Sequence, residues 1–264
     1  MREHEKFILT PITSILDDGC YAMSVLDDGL ETFPISEYMM QSLFLRMTGF
    51  QEQKVKCILW ELATDDYELR YRRFKKEQIG EASTYSDKIK VFGDLAKATK
   101  ALLPKGDALV TDEELGDVID STLLFLEDLS EQRFMKGWSR KQYGDCVNLF
   151  SFLGKECLLH SKGETYEIFA RCEKCERKSR ANDGSICKKR TLRQVYDFVY
   201  KHRNRCAHNT VSYQQNLPSL EKLQDKDYIF ENYFVRFAIL IIIDKMFVLL
   251  FKKYIDLSPK KFVL

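Results

Sequence analysis

The sequence predicts an all-α protein. Only 12 glycines and 5 prolines interrupt the 264 residues, and the charged residues, 31% of the chain, fall mostly in runs that suit helices. Over several long stretches apolar residues recur at steps of three and four, which is the period of one face of an α-helix. With 45% hydrophobic residues the chain can bury a substantial core, in one large domain or two smaller ones.

Residues 1–34 are expected to form an N-terminal extension with two turns. Two short apolar runs, each suited to a short strand or a short helix, stop at Asp17–Gly19 and at Asp27–Gly29, and both triplets read Asp-Asp-Gly. Asp and Gly supply turn geometry by themselves. Paired aspartates are also able to hold a divalent metal, but two turns at a ten-residue repeat are the simpler interpretation.

Residues 35–264 are expected to form one helical domain that begins just after Pro34. Ser36 is predicted to cap its first helix, and Gly49 to break or kink that helix. The Pro- and Gly-containing segment at 104–110 is a loop and the candidate internal boundary.

Further helices are predicted after this loop. Thr111 and Glu114 have the spacing of a capping box, so a helix should begin there. An amphipathic helical run follows at 143–169, and a long aromatic-rich helix is expected at 221–255. Its most apolar part, 234–251, is interrupted by charges and therefore predicts a buried core helix and no membrane span.

Eight cysteines at irregular spacing, after a charged N-terminus without an apolar leader, predict reduced thiols in a cytoplasmic protein. Three of them, Cys172, Cys175 and Cys187, lie close together in a basic segment. With Cys206, His202 or His160 as a fourth ligand they would make a structural zinc site. Three free thiols are the favoured alternative, and no cofactor is expected.

Positive charge is concentrated locally, although the whole chain has a net charge of only +1. Residues 171–205 contain twelve basic and four acidic residues, including a basic, Cys-containing insertion at 171–190. Such a patch suits a phosphate backbone, although charge runs are often only solvated. The residues predicted to bind RNA are Lys188, Lys189, Arg190, Arg193, Lys201, His202 and Arg205. A shorter run at 70–76 mixes cations with aromatic residues and carries the same two interpretations.

The segment on which the functional prediction depends is Arg203-Asn204-Arg205-Cys206-Ala207-His208. RNA can be cleaved without metal when its 2′-hydroxyl loses a proton and attacks the neighbouring phosphate. Histidine titrates near neutral pH and suits the proton transfer, and arginine suits the developing phosphate charge. Asn204 would orient the histidine or hold the phosphate. The structural alternative is that Arg203 and His208 only cap and staple a helix end. Cys206 as a nucleophile activated by His208 is a weaker alternative.

The Arg-x4-His spacing, with Asn after the Arg, resembles the signature of HEPN domains, and only residues 203–208 match it position by position. The resemblance implies an all-helical, HEPN-like bundle and a metal-independent endoribonuclease that leaves 2′,3′-cyclic phosphate ends. It also implies a homodimer in which Arg203 and His208 of both copies form one composite site. Many such domains are prokaryotic toxins or antiviral effectors, so an antitoxin or a regulatory protein is an expected partner.

Two other functions remain open. A HEPN-like module could bind RNA or a protein on its cationic face without cleaving it, and a helical scaffold could use the motif only structurally. The sequence has no Gly-rich phosphate loop, no His-Glu-x-x-His pair and no serine nucleophile elbow. Nucleotide hydrolase, metalloprotease and esterase functions are thereby disfavoured.

Overall fold

The structure, a computed structural model, describes residues 3–24, 33–132, 139–153, 158–162, 165–168, 192–208 and 231–258. These ranges are mostly helical, which confirms the all-α prediction. The helices are α1 (Glu3–Leu9), α2 (Ser14–Met23), α3 (Phe33–Asp65), α4 (Tyr67–Tyr71), α5 (Tyr85–Leu102), α6 (Asp112–Ser130), α7 (Ser139–Leu153), α8 (Leu192–His208) and α9 (Tyr233–Leu257). A π-helical turn (Arg72–Lys76) follows α4, and strands β1 (Leu159–Lys162) and β2 (Thr165–Ile168) lie between α7 and α8.

Helix α9 is the centre of the fold. Helices α3, α5, α6 and α7 pack around it, and it is buried on nearly every side. A helix that is apolar all round belongs in a protein core or a bilayer, and no helix in the described ranges is long and apolar enough to cross a membrane. The predicted core helix at 234–251 is therefore confirmed. The predicted start at residue 221 is not: 221–230 lie outside the described residues, and α9 begins after Asn232, whose side chain accepts a hydrogen bond from the Val235 amide.

One ion pair is buried within this core. The Lys54 ammonium on α3 lies 2.6 Å from the Asp244 carboxylate on α9 and also donates to the Thr10 carbonyl at 2.6 Å. The backbone amide of Ile12 donates to the same carboxylate at 3.1 Å. These contacts join the α1–α2 connection to α3 and α9, and the Lys54 ammonium compensates the charge of Asp244, the buried carboxylate of α9.

The first of the two turns predicted for the N-terminal extension was wrong. Asp17–Gly19 lie inside α2, and a Cβ added at Gly19 would come within 2.5 Å of the Leu43 side chain. Glycine is needed there because α2 approaches α3 closely, and no turn is involved. Ile8 and Ile12 are fully buried in the common core, so residues 3–24 are part of it. The second triplet, at 27–29, lies outside the described residues.

Helix α3 is longer and more regular than predicted. It begins at Phe33, so Ser36 lies buried inside the helix and does not cap it. It also continues through Gly49 without a break. Glycine inside a helix costs about 1 kcal/mol relative to alanine. The packing of α3 against α1, α2, α5 and α9 outweighs that cost.

The predicted loop at 104–110 and the helix start after it are confirmed. Helix α5 ends at Leu102, and both hydrogen bonds of the capping box at α6 form between Thr111 and Glu114. The loop does not separate two cores in the described part of the chain. Leu109 is buried in the common core, and Lys253 of α9 reaches both its carbonyl, at 3.0 Å, and the Glu114 carboxylate, at 2.6 Å.

The helix predicted over 143–169 was wrong in its second half. Helix α7 ends at Leu153, and β1 and β2 form an antiparallel hairpin in which Leu159 pairs with Ile168. The two residues between the strands begin with Gly163, which is a hairpin signal. The hairpin packs on α5, where the Tyr85 hydroxyl donates a hydrogen bond to the Ile168 carbonyl. Apolar spacing alone does not distinguish this arrangement from a short helix.

Candidate functional site

Helix α8 carries the motif and packs on α3, α5 and α9. Val195, Tyr196 and Val199 form its buried stripe. The stripe continues toward the motif at the next turn, where His202 and Arg203 are half-buried. The motif therefore lies on the last turns of an anchored helix, and its first half contacts the core directly.

Arg203 is held by two neighbours and keeps part of its surface open. Its guanidinium lies 3.5 Å from the Glu52 carboxylate of α3, and it donates a hydrogen bond to the Asn204 side-chain oxygen at 3.2 Å. The Arg203 side chain remains 26% exposed. A guanidinium has five N–H donors in a planar fork, so these contacts leave donors for a ligand such as a phosphate.

Lys88 of α5 is a third charge at this site, which the sequence interpretation missed. Its ammonium is buried and donates to the Ala82 carbonyl at 2.6 Å. Burial lowers the pKa of Lys88 to about 8; the nearby Glu52 carboxylate opposes this shift and the Arg203 guanidinium adds to it. The sequence did indicate that Lys88 is buried. Phe92 follows it by four residues and Leu95 by seven, so Lys88 lies on the apolar stripe of its helix.

His202 is packed into the junction of three helices. Its ring lies 5.2 Å from the Phe44 ring and 5.8 Å from the Tyr233 ring, measured between centroids. Its Nε2 atom is 3.4 Å from the Cys206 sulfur, and its Nδ1 atom is 3.4 Å from the Arg205 guanidinium. The role of His202 in RNA binding stays a prediction, and its position is that of a packing residue.

Cys206 is not set up as an activated nucleophile. Burial is the main cause that raises the pKa of its thiol, whereas nucleophilic cysteines have lowered values. Its described histidine contact is with His202, at i−4 on the same helix.

A second polar cluster continues from His202 into α9. The Tyr233 hydroxyl donates to the Glu37 carboxylate at 2.8 Å, and burial and that carboxylate raise the pKa of Tyr233. The Arg236 guanidinium stacks 5.0 Å above the Tyr233 ring and donates to the Glu231 carbonyl at 2.8 Å. No local pattern in the sequence marks the contact between Tyr233 and Glu37, because these residues are nearly 200 positions apart.

The predicted RNA-binding residues are only partly described. Arg193 is exposed and lies over the Tyr85 ring at 5.1 Å, and the exposed Lys201 lies over the Phe198 ring at 5.7 Å. Arg205 is half-buried beside His202. Lys188, Lys189 and Arg190 lie outside the described residues, with the rest of the 171–190 insertion.

His208 is the last residue of α8, and its side chain lies outside the described residues. Because α8 is continuous from Arg203 to His208, the two positions are roughly 140° apart around the helix axis. A phosphate held by Arg203 would therefore lie on a different side of the helix from the position of His208 in the same copy.

The zinc alternative falls on residues that are not described. Cys172, Cys175, Cys187 and the side chain of His160 lie outside the described residues. Within the ranges that are described, no three His, Cys, Asp or Glu side chains come together as a metal site would require. Cys20, Cys57, Cys146 and Cys206 are free thiols there.

No protein-family model matches this chain, and neither a curated protein nor a solved structure matches it.

Proposed function

We propose that this protein is a HEPN-type, metal-independent endoribonuclease with Arg203, Asn204 and His208 as its catalytic residues. What supports the proposal most directly is the Arg203 guanidinium, which Asn204 and Glu52 orient while a quarter of the side chain stays exposed. A fixed cation with an open side is what a transition-state phosphate needs, because it costs little reorganisation when charge develops.

In the proposed reaction the 2′-hydroxyl of the substrate loses its proton to His208 and attacks the adjacent phosphorus. Arg203 stabilises the negative charge on the phosphate oxygens, and Asn204 keeps the guanidinium in place. The P–O5′ bond breaks, and the leaving oxygen takes up a proton from protonated histidine. The products are a 2′,3′-cyclic phosphate and a 5′-hydroxyl, and no metal takes part.

The proposed active form is a homodimer. Since positions 203 and 208 are roughly 140° apart around α8, Arg203 of one copy is proposed to act with His208 of the second. The free thiols in the described part of the chain fit a reducing, cytoplasmic setting. A toxin or antiviral role, with an antitoxin or regulatory protein as partner, extends the same proposal.

The test is cleavage of total RNA in EDTA with analysis of the product ends. His208→Ala is expected to lower the rate by about 10²- to 10⁴-fold, as loss of a general acid–base group does. Arg203→Ala should lower it by about 10²- to 10³-fold. His4→Ala is the matched control, since His4 is an exposed histidine of α1 that pairs with Glu61 and not with a residue of the motif.

Mixing the two inactive variants tests the composite site. If Arg203 and His208 act across two copies, a mixed dimer of Arg203→Ala and His208→Ala has one intact pair and regains part of the wild-type rate. Cleavage that His208→Ala does not reduce would refute the proposed mechanism. RNA binding without cleavage by the wild type would instead support the binding module, which the exposed cations Arg193 and Lys201 on α8 also favour.

A further inference from the structure

A groove lined by aromatic residues lies at the far end of α3, away from the motif. It encloses a volume of about 400 Å³, and Trp60, Tyr67, Tyr71 and Phe74 line it. Large parts of these rings are open to solvent: Trp60 is 51% exposed, Tyr67 79% and Tyr71 66%. Exposed aromatic rings gathered in one groove, unlike single exposed ones, indicate a binding surface.

The groove is built on a rigid support. Asp66 caps α4 by accepting hydrogen bonds from two backbone amides, which turns the chain directly after α3. The π-helical turn that follows is held to α5 by Arg73, whose guanidinium donates to both Asp94 oxygens at 2.7 and 3.0 Å. Trp60 and Phe74 meet edge to face at 6.2 Å. Single π-helical turns are frequent at functional sites.

The cations of the 70–76 run divide into two groups. Arg72 and Arg73 form ion pairs with Asp94 and are part of the support. Arg70, Lys75 and Lys76 are exposed, and in the described part of the chain no carboxylate pairs with any of them. Arg70 and Lys75 line the groove itself, and no acidic residue is among its lining residues. The groove therefore offers flat rings for stacking and unpaired positive charge beside them.

We propose that this groove binds single-stranded RNA, with bases stacked on Trp60, Tyr67 and Tyr71 and phosphates on Arg70 and Lys75. Sequence-tolerant binding of single strands uses this combination of aromatic stacking and positive charge. Helix α3 connects the groove to the candidate active site, because Trp60 lies eight residues, or about 12 Å, beyond Glu52, the partner of Arg203. As a substrate subsite it rests on the proposed function, but binding itself does not require cleavage.

Binding can be measured through Trp60 itself. The chain has two tryptophans, so Trp138→Phe leaves Trp60 as the only one. The probe is a 12-nucleotide 2′-O-methyl oligo(U), which lacks the hydroxyl needed for cleavage. We expect the probe to quench Trp60 fluorescence. Tyr71→Ala should weaken its binding by about 5- to 100-fold, and Arg70→Ala should lower the salt dependence by about one phosphate contact.

Two matched controls isolate the groove. Tyr21→Ala removes an aromatic ring that is 84% exposed on α2, and Lys97→Ala removes an exposed cation from α5; neither should change the affinity. Binding that the Tyr71 and Arg70 variants leave unchanged would overturn the proposal, and so would quenching by a proline-rich peptide but not by the oligonucleotide. If the groove binds the probe but the protein never cleaves RNA, only the proposed nuclease activity is refuted. If the protein cleaves RNA but the Tyr71 and Arg70 variants bind the probe as the wild type does, only the proposed groove is refuted.

Discussion

Helix α3 contributes one residue to each of two ion pairs, and these pairs differ in how far they are exposed to solvent. On its enclosed side Lys54 pairs with Asp244 at 2.6 Å, and their side chains are 1% and 2% exposed. Two residues earlier, Glu52 pairs with Arg203 at 3.5 Å, with side chains 12% and 26% exposed. Two glycines show the same contrast in packing. Gly19 of α2 fits tightly against Leu43 of α3, whereas Gly49 within α3 has open space around it.

The degree of burial decides which of these charges are available for function. Two fully buried charges must compensate each other, since either one alone would carry a large desolvation cost. Burial lowers the pKa of Lys54 and raises that of Asp244, so both charged forms depend on the pairing. The Glu52–Arg203 pair is different, because Arg203 is 26% exposed and the buried Glu52 carboxylate also has the Lys88 ammonium nearby. A ligand can therefore bind the Arg203 guanidinium at modest cost.

The largest effect is expected on the enclosed side. Asp244→Asn should lower the free energy of unfolding by about 3–5 kcal/mol, because it leaves the Lys54 ammonium buried without a counter-charge. Urea denaturation measures this loss. The double variant Lys54→Met, Asp244→Leu is the control, since replacing both charges by apolar side chains is often neutral or stabilising. A loss of less than about 1 kcal/mol for Asp244→Asn would contradict the idea of a compensated buried pair.

The next largest effect is expected at Lys88, which lies near the Glu52–Arg203 pair. Its pKa is about 8 in the folded protein, against 10.5 as its ordinary value. Between these pH values the unfolded chain binds the proton and the folded protein does not, so the contribution of Lys88 to stability rises with pH. Relative to Lys88→Met, the wild type should gain on the order of 2 kcal/mol from pH 8 to 10.5.

The comparison with Lys88→Met is necessary because other groups titrate in the same range. Burial raises the pKa of Tyr85, Tyr196 and Cys146, which makes the folded protein lose stability as the pH rises. These groups are present in both proteins, so their effect cancels in the difference. If the stability difference between the wild type and Lys88→Met does not change from pH 8 to 10.5, Lys88 keeps an ordinary pKa.

Replacing the two glycines by alanine should change the free energy of unfolding in opposite directions. Gly19→Ala should cost about 1–3 kcal/mol, because the new methyl group overlaps the buried Leu43 side chain. Gly49→Ala is its matched control: it adds the same group to a helix where no atom lies within 4 Å, and should gain about 0.5–1 kcal/mol. Thermal unfolding of both variants checks this. A gain at Gly19 would show that the contact between α2 and α3 is loose.

These glycines also show what the sequence could predict. Features fixed by neighbouring residues, such as the capping box at Thr111 and the end of α5 before Pro104, were predicted correctly. Gly19 and Gly49 were both interpreted as breakers of regular structure, because a glycine with a packing role has the same local sequence as one in a turn. Only contacts with Leu43 and with the core decide between the two roles.

The candidate site was likewise predictable only in its local features. The sequence marks the motif at a helix end, and α8 does end at His208. It does not reveal that Glu52 and Lys88 lie beside Arg203, or that His202 packs between Phe44 and Tyr233, since those contacts are made across more than 30 residues of chain. The run at 70–76 was interpreted as either wholly solvated or wholly functional. The structure divides it between Asp94 and an open groove.

The smallest effect on stability is expected where we propose the largest effect on activity. Arg203→Ala should lower the free energy of unfolding by about 1 kcal/mol or less, and this loss should shrink further in high salt. Glu52 keeps the Lys88 ammonium as a neighbouring positive charge, so its carboxylate is not left uncompensated. Urea denaturation at two salt concentrations measures both expectations. A loss as large as that of Asp244→Asn would make Arg203 part of the framework, and a guanidinium that the fold cannot release is unsuited to holding a transition-state phosphate.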